Sequence, residues 1–305
     1  MKRIVLAVTA VALVAAAMAA WSGAVTLAPS GADAPAQAKP KPKLPPLPAN
    51  IKQRGRWNIG VKCDVPPFGY INVRGQNAGF DVEIAKWFSR YSFGKASRVN
   101  YVCAPTPARE PLLTTDRVDL VISTFTYNQD RDTRIDFSRA YFKAAGKLLV
   151  PNNGPVQKLS DINGRTIATT SASVYHRWMQ NCFKETTPLV FDSFANAVLA
   201  LRGGRADAVM WDDTAVLGIA TTDSTLKLAP DTFIPGPYGI GIKQGNVALK
   251  RWVDARLNLM KKNDIFIRIL RNNLPARLVP AFTDSILRPK QNFGYNAVDP
   301  VTVCP

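Results

Sequence analysis

Apolar and polar positions follow two alternating patterns between residues 57 and 123. Short apolar runs predict buried strands at 57–63, 98–103 and 118–123. Apolar residues at helical spacing lie between these runs and predict helices at 80–91 and 108–115. Strands that alternate with helices in this way are typical of α/β units on a mostly parallel sheet.

A second round of the same patterns follows Lys147. A strand or crossover is predicted at 148–151, and strands are predicted at 165–169, 206–211 and 236–243. Helices are predicted at 174–183, 194–202, 246–262 and 264–273. Because the last strand returns to the first unit, the chain crosses between the two units twice, near 141–147 and near 237–242. We therefore predict an α/β fold of two lobes that are joined by a two-strand hinge, with a ligand cleft between them.

The predicted domain boundaries follow from these crossings. The first lobe is discontinuous and comprises 55–143 plus 240–275, and the second lobe comprises 144–239. Residues 276–305 show little periodicity, so we expect a C-terminal extension that packs over the surface. Residues 39–54 are rich in Pro and Lys and are predicted to form an extended tether.

The N-terminus has the pattern of an export signal. Two positive charges at residues 2–3 precede an uncharged run over 4–32, and A-x-A patterns at 17–19 and 36–38 mark two places for cleavage. The uncharged run is also long enough to span a bilayer. We therefore predict a signal peptide or an N-terminal membrane anchor over 1–38, and a secreted or extracytoplasmic location.

The cysteines predict disulfide bonds, because export permits them and four cysteines allow three pairings. Cys63 and Cys103 stand at the ends of two strands that we expect to be neighbours, so we predict a bond between them. A bond between Cys182 and Cys304 would pin the C-terminal extension to the body. The alternative is four free buried thiols. No C-x-x-C spacing occurs and His176 is the only histidine, so we predict neither a zinc site nor another cofactor.

The net charge of +17 over 305 residues favours anionic neighbours such as lipid headgroups, wall polymers, small acids or nucleic acid. The sequence contains neither a nucleic-acid-binding motif nor a long run of Lys and Arg. We therefore predict no nucleic-acid partner. A basic surface without a dedicated partner is the simpler explanation of the charge.

Polar side chains follow the predicted strands at the point where each strand ends. These residues are Lys62, Ser123, Thr124, Thr126 and Asp212. In open α/β sheets ligands bind outside the carboxyl ends of the strands, so we expect these side chains to face the cleft. Arg131 stands a few residues beyond the hydroxyl-rich loop, and its planar fork suits a carboxylate. The alternative is a surface loop with one solvated arginine.

Six motifs, in this order and spacing, resemble those of the extracytoplasmic solute-binding proteins of ABC transporters, the amino-acid-binding family 3. They are GVKCDVPPFGY at 60–70, GFDVEIAKWF at 79–88, R-x-x-L-L through DRVDLVISTFT at 109–126, DRDTRIDFSRAYF at 130–142, FANAVLALRGGRADAVMWDD at 194–213 and YGIGIKQGN at 238–246. The resemblance covers about 55 to 275. It implies the type II periplasmic-binding-protein fold, an amino-acid ligand, and the membrane permease of an ABC transporter as partner.

The resemblance also implies a role for each residue of the cleft. Asp212 would hold the α-ammonium group of the ligand, with Ser123 as a neutral acceptor, and Phe68 would pack on the ligand. Arg131 would pair with the α-carboxylate. Its expected helpers on the two lobes are Thr126, Ser171 and Ser173.

Two basic residues decide the predicted ligand. In members of the family that take glutamate or aspartate, positions like those of Lys62 and Arg109 are basic and hold the distal carboxylate. The alternatives are a solvated lysine at the strand end and an arginine paired with Glu110 or Asp116. Trp211 stands where several relatives have a smaller residue, so it is expected to narrow the pocket.

Three functions remain open at this point. The first is a monomeric binding protein that captures an acidic amino acid, L-glutamate or L-aspartate, and delivers it to an ABC permease. The second is a ligand sensor at the cell surface, which the anchor, the tether and the extension would suit. The third is an enzyme with Glu110 or Asp213 as general acid. No catalytic pair converges in the sequence, so we predict a binding protein and not an enzyme.

Overall fold

The computed structural model describes residues 44–291, 293–295 and 299–305. The predicted signal peptide or anchor at 1–38 therefore lies outside the described residues. The strands are β1 Trp57–Val61, β2 Asp64–Val65, β3 Gly69–Ile71, β4 Asn77–Ala78, β5 Val99–Cys103, β6 Leu120–Ile122, β7 Ile135–Phe137, β8 Ala145–Pro151, β9 Thr166–Thr170, β10 Thr187–Phe191, β11 Ala208–Asp212, β12 Leu226–Leu228, β13 Phe233–Pro235 and β14 Gly241–Lys243. The α-helices are α1 Ala49–Arg54, α2 Phe80–Phe93, α3 Arg109–Thr114, α4 Gln129–Asp132, α5 Val174–Cys182, α6 Phe194–Arg202, α7 Asp213–Ala220, α8 Val247–Lys262, α9 Ile265–Asn273 and α10 Val279–Thr283.

Two large sheets organise these elements. The first sheet has the strand order β5-β1-β6-β14-β7, in which β1 is parallel to β5 and β6, and β14 is antiparallel to β6 and β7. The second sheet has the order β10-β9-β11-β8-β12, with β13 also paired to β8. We call the first sheet, its helices and the small sheet β2-β3-β4 lobe 1, and the second sheet with α5, α6 and α7 lobe 2. The predicted two-lobed α/β fold is confirmed.

Apolar runs account for the central strands of both lobes. Leu120, Val121 and Ile122 of β6 are all buried, and β11 is buried at every position. A strand that is covered on both faces needs such a continuous apolar run. The polar residues that follow these runs therefore emerge together at the edge of each sheet, where the lobes meet.

The start of α2 fixes the loop that follows β6. Gly79 precedes the helix with a φ of 116°, and a Cβ atom there would lie 2.3 Å from the carbonyl oxygen of Phe68, so this position requires glycine. Asp81, in the first turn of α2, is fully buried. Its carboxylate accepts hydrogen bonds from the Thr124 N–H group at 2.8 Å and from the Tyr141 hydroxyl at 2.7 Å. Burial is the main reason that the pKa of Asp81 rises to about 7.

The hinge consists of two chain segments that run side by side. Residues 141–144 leave lobe 1, and residues 236–238 return to it. The Tyr238 N–H group donates to the carbonyl oxygen of Phe142 at 2.8 Å, and the two residues form an antiparallel bridge. Both crossings lie where the sequence predicts them, so the two-strand hinge is confirmed.

Both predicted disulfide bonds are present. The Cys63–Cys103 bond joins the neighbouring strands β1 and β5: Cys103 is the last residue of β5, and Cys63 lies two residues beyond the end of β1. Cys182 and Cys304 join the last residue of α5 to the C-terminal extension. The alternative of four free thiols is therefore wrong.

The C-terminal extension contacts both lobes. In lobe 1 the ring of Tyr295 stacks on that of Tyr127, with centroids 3.9 Å apart. In lobe 2 the Trp178 indole N–H group donates to the carbonyl oxygen of Val303 at 2.8 Å. The extension is therefore a strap between the lobes, which is more than the sequence predicts.

Some elements differ from the prediction. Helix α1 forms within the expected tether, because Ile51 is buried and Gly55 provides a left-handed cap. The strand predicted at 236–243 is regular only in β14, since its first residues belong to the hinge. The sequence also gave no indication of β7, β10 and α7, whose short segments show no clear alternation.

Candidate ligand-binding site

A small cavity lies between the lobes, where β6, β9 and β11 end. Its lining residues are Thr106, Arg109, Thr124, Thr126, Arg131, Ser173, Val174, Tyr175, Trp211 and Asp212. The volume of this cavity that the centre of a water molecule can occupy is only about 10 Å³. This is enough for about one water molecule. The lobes are therefore closed on each other, and a larger ligand requires them to separate first.

Arg131 connects the two lobes. Asn128 caps the short helix α4 by accepting a hydrogen bond from the Arg131 N–H group at 2.8 Å. The Arg131 guanidinium is buried and donates to the carbonyl oxygens of Thr126 at 2.7 Å and of Ala172, in lobe 2, at 2.6 Å. Its Nε atom lies 3.4 Å from a Glu110 carboxylate oxygen. Burial lowers the pKa of Arg131 to about 10, and Glu110 opposes this shift.

Arg109 is a second buried guanidinium in lobe 1. It donates to the carbonyl oxygens of Thr106, Ser123 and Thr124 at 3.1, 3.3 and 2.9 Å. It also lies over the ring of Phe125, with the guanidinium carbon 4.4 Å from the ring centroid. Burial first, and then the positive charge of Arg131, lower the pKa of Arg109 to about 9. Carbonyl dipoles and a ring face therefore hold this cation in place.

The alternative partners of Arg109 are engaged elsewhere. Glu110 forms ion pairs with Arg131 and Arg134, and Asp116 pairs with Lys243. Among the described residues, no carboxylate lies within 4.0 Å of the Arg109 guanidinium. The alternative that Arg109 serves only to pair with Glu110 or Asp116 is therefore wrong.

Lys62 is buried although it ends a strand. Its side chain is 1% exposed, and its ammonium group donates to the Thr106 hydroxyl at 2.7 Å and lies 5.9 Å from the centre of the Trp211 ring. Burial, followed by the charge of Arg109, lowers the pKa of Lys62 well below its usual value. No carboxylate of the described chain comes within 4.0 Å of this ammonium group. The alternative of a solvated lysine is wrong.

Asp212 is the carboxylate that lines the cavity. It ends β11, is buried, and accepts a hydrogen bond from the Tyr175 hydroxyl at 2.6 Å. Burial raises the pKa of Asp212, whereas the Tyr175 hydroxyl and the positive charges of Arg109 and Lys62 lower it. The cavity thus has one anionic group in lobe 2 and cationic groups in lobe 1.

Two further polar groups beside the cavity lack a partner within the described chain. The hydroxyl of Thr124 and the indole N–H group of Trp211 are both buried and make no hydrogen bond to a described residue. A buried donor without an acceptor is costly, so such groups are available to a ligand. By contrast, the described residues contain no cluster of His, Cys, Asp and Glu that could hold a metal ion.

Comparisons with known proteins identify the family of the chain. Residues 57–274 match the family described as bacterial extracellular solute-binding proteins, family 3. The chain belongs to this family. Its members are extracytoplasmic proteins that bind amino acids. They work with the membrane permeases of ABC transporters. Among the described residues, no helix is both long and apolar enough to cross a membrane.

Individual relatives of this family 3 protein are named for different ligands. A glutamine-binding protein of Geobacillus stearothermophilus is 32% identical over 193 residues, which is 63% of this chain and 74% of the relative. A glutamate-binding protein of Corynebacterium glutamicum is 24% identical over 234 residues, 73% of this chain and 80% of the relative. The crystal structure of a solute receptor for L-cysteine of Neisseria gonorrhoeae covers 74% of this chain and 92% of its own, at 28% identity and a TM-score of 0.72. The family is therefore shown, but the ligand must be argued from the site itself.

The structure brings most of the predicted site residues of this family 3 protein together, but not all of them. Those that line the cavity are Arg109, Thr124, Thr126, Arg131, Ser173 and Asp212. Lys62 lies behind them, against Thr106. The other predicted residues point elsewhere, for the reasons that follow.

Besides Lys62, three predicted residues do not line the cavity. The Phe68 ring is buried in an aromatic cluster, with its centroid 5.0 Å from that of Phe142, because apolar rings surround it on the hinge side of lobe 1. The Ser123 hydroxyl donates to the carbonyl oxygen of Ala104 at 2.9 Å. The hydroxyl of the half-buried Ser171 donates to the Asp192 carboxylate at 3.1 Å.

Sequence patterns predict no role for Thr106, Val174 and Tyr175, although all three line the cavity. Thr106 begins a short 3₁₀ helix, Thr106–Ala108, directly before α3, and its hydroxyl is the acceptor for Lys62. Tyr175 lies in the first turn of α5 and contacts Asp212 across 37 positions of sequence. Nothing in the local pattern marks these residues, because helix-start threonines and tyrosines are common.

Proposed function

We propose that this protein captures an acidic amino acid, L-glutamate or L-aspartate, between its lobes and delivers it to the permease of an ABC transporter. The observation that carries this proposal is the charge of the site. Lys62, Arg109 and Arg131 are all buried at the cleft, against Asp212 as the one carboxylate in the cavity lining. A neutral amino acid would leave at least one of these cations without a counter-charge.

The cost of buried charge explains why the number of cations matters. An ammonium or guanidinium group that leaves water needs a counter-ion or several hydrogen bonds. Arg131 has Glu110 nearby, but Lys62 and Arg109 have only neutral oxygens within bonding distance. A ligand with a second carboxylate would supply the missing negative charge.

The proposed orientation assigns each end of the ligand to one part of the site. Asp212 holds the α-ammonium group, and Arg131 with Thr126 and Ser173 holds the α-carboxylate. Lys62 and Arg109 hold the distal carboxylate. This orientation places both carboxylates on lobe 1 cations and the ammonium group on the lobe 2 anion. Lobe closure would then be driven by opposite charges on the two ends of one molecule.

The test is calorimetric titration of the protein after unfolding and refolding, which removes any ligand that was carried through purification. L-Glutamate, L-aspartate, L-glutamine and L-arginine form the panel. We expect tight binding of glutamate or aspartate, and loss of this binding in R131A. The matched control is R134A, which removes an arginine three positions away that is half-exposed and pairs with Asp130 and Glu110 without lining the cavity. Tight binding of glutamine or arginine alone would overturn the acidic assignment.

A further inference from the structure

Asp64 joins the two lobes at a place away from the cavity. It begins β2 in lobe 1, directly after Cys63. Its Oδ2 atom accepts hydrogen bonds from the N–H groups of Phe194 at 2.8 Å and Ala195 at 3.4 Å. These are the first two residues of α6 in lobe 2. Both hydrogen bonds that the Asp64 side chain makes within the described part of the chain therefore cross between the lobes.

The start of α6 is suited to receive a carboxylate. The first N–H groups of a helix have no partner within the helix, and the helix dipole is positive at this end. Ser193 caps the helix by accepting from the Asn196 N–H group at 3.2 Å. The Oδ2 atom of Asp64 is the shared acceptor for the N–H groups of Phe194 and Ala195, which precede Asn196. Side chains from both lobes thus complete one helix terminus.

Asp64 itself is held in a fixed position. The Cys63–Cys103 disulfide bond anchors the residue before it, and Asp64 pairs with Tyr70 in the antiparallel β2–β3 ladder. Residues that follow Asp64 also contact lobe 2. The carbonyl oxygen of Pro66 lies close to Gly218 of α7, at 3.4 Å from the place that a Cβ atom of residue 218 would take. The segment that begins with Asp64 therefore docks against both α6 and α7.

We propose that Asp64 is a positioning residue for cleft closure, a latch that sets how long the closed state lasts. Asp64 does not line the cavity, so it acts on a ligand only through the position of lobe 2. When the lobes separate, both hydrogen bonds break and the carboxylate and the helix terminus return to water. When they close, the bonds form again over the ligand. The proposal rests on the proposed function only in requiring an amino acid that closes the cleft.

The kinetic test compares D64A and D64N with D192N. Asp192 is also an aspartate and lies beside the same helix start. Its carboxylate, however, accepts a hydrogen bond from the Ser171 hydroxyl, which belongs to lobe 2 as well. A hydrogen bond to a charged group is worth enough to change an equilibrium roughly ten- to hundred-fold. We expect L-glutamate to dissociate about that much faster from D64A in stopped-flow measurements, with little change in the association rate. D64N, which keeps an oxygen acceptor, should fall between D64A and the unchanged D192N.

A second measurement does not depend on the ligand. Spin labels on V73C in lobe 1 and K227C in lobe 2, both exposed positions, report the distance between the lobes in the ligand-free protein. D64A should reduce the population at the short, closed distance, and D192N should not. If no amino acid of the panel binds the wild-type protein, the proposed function fails, and this distance measurement still decides about the latch.

Two outcomes would overturn the latch. One is a D64A protein with the dissociation rate and the distance distribution of the wild type. The other is a D64A protein that melts at a lower temperature without ligand but releases glutamate at the wild-type rate, which would make Asp64 a stabilising residue of lobe 1 alone.

Discussion

Lys62→Met should raise the stability of the ligand-free protein and weaken binding of glutamate at the same time. Lys62 is 1% exposed, and its ammonium group donates a hydrogen bond to the Thr106 hydroxyl. The neighbouring cation Arg109 lowers the pKa of Lys62 further, beyond the effect of burial. Methionine has a similar length and removes both the desolvation cost and the repulsion.

The gain in stability of the ligand-free protein and the loss in binding free energy for glutamate are opposite in sign and comparable in size. Replacing a buried ion pair with apolar side chains of similar volume is neutral or stabilises proteins by about 1–4 kcal/mol, and a buried cation without an ion pair has less attraction to lose. In a protein of this size, 1 kcal/mol shifts the melting temperature by about 2–4 °C, so we expect K62M to melt a few degrees higher. A hydrogen bond between charged groups contributes about 1.5–3 kcal/mol, so glutamate should bind roughly 10- to 100-fold more weakly.

Differential scanning calorimetry of the ligand-free protein and isothermal titration with L-glutamate measure the two effects. The control is Thr106→Val, which keeps the buried charge and removes its hydroxyl acceptor. This variant should melt at a lower temperature than the wild type, opposite in sign to K62M. The reasoning fails if K62M melts at a lower temperature and binds glutamate as the wild type does, because Lys62 would then be a structural cation.

Three further predictions follow from contacts near the cleft and the extension. Tyr175→Phe removes the 2.6 Å hydrogen bond to Asp212, so calorimetric titration should show glutamate binding about tenfold more weakly; an unchanged affinity would mean that Asp212 needs no orientation by the hydroxyl. Asp81 has a folded-state pKa of about 7, above its usual 3.8, so the fold binds its proton more tightly than the unfolded chain does, and this contribution to stability is lost as pH rises from about 4 to 7. Urea denaturation at pH 5 and pH 7.5 should therefore show a larger loss of stability with pH for the wild type than for D81N, and equal losses would contradict the raised pKa. Cys304→Ser opens a disulfide bond between residues 122 positions apart and should lower the free energy of unfolding by about 2–5 kcal/mol, measured by urea denaturation under non-reducing conditions; an unchanged midpoint would mean that the other contacts of the extension are sufficient.

The sequence predicts the fold well because the fold depends on periodic patterns and on strand ends. The apolar run that forms β6 and the hydroxyls after it place Thr124 at the cavity, and the same argument places Asp212 there, at the end of β11. Phe68 shows the limit of this reasoning, since an aromatic residue in a loop can pack on a ligand or into the core, and only the surrounding rings decide. Asp64 and Tyr175 act through partners far away in the sequence, and no local pattern marks such contacts.

The position of β14 has a consequence for the order in which the protein folds. β14 begins at Gly241, yet it lies between β6 and β7, which are complete by Phe137. The strands of lobe 2 come from one continuous stretch, from β8 to β13, so lobe 2 has all its strands before β14 is synthesised. Until then, β6 and β7 present unpaired edges, which are sites for wrong pairing between chains. Lobe 2 can therefore form its sheet from an earlier part of the chain than lobe 1 can, and the first sheet is complete only when β14 pairs with β6 and β7.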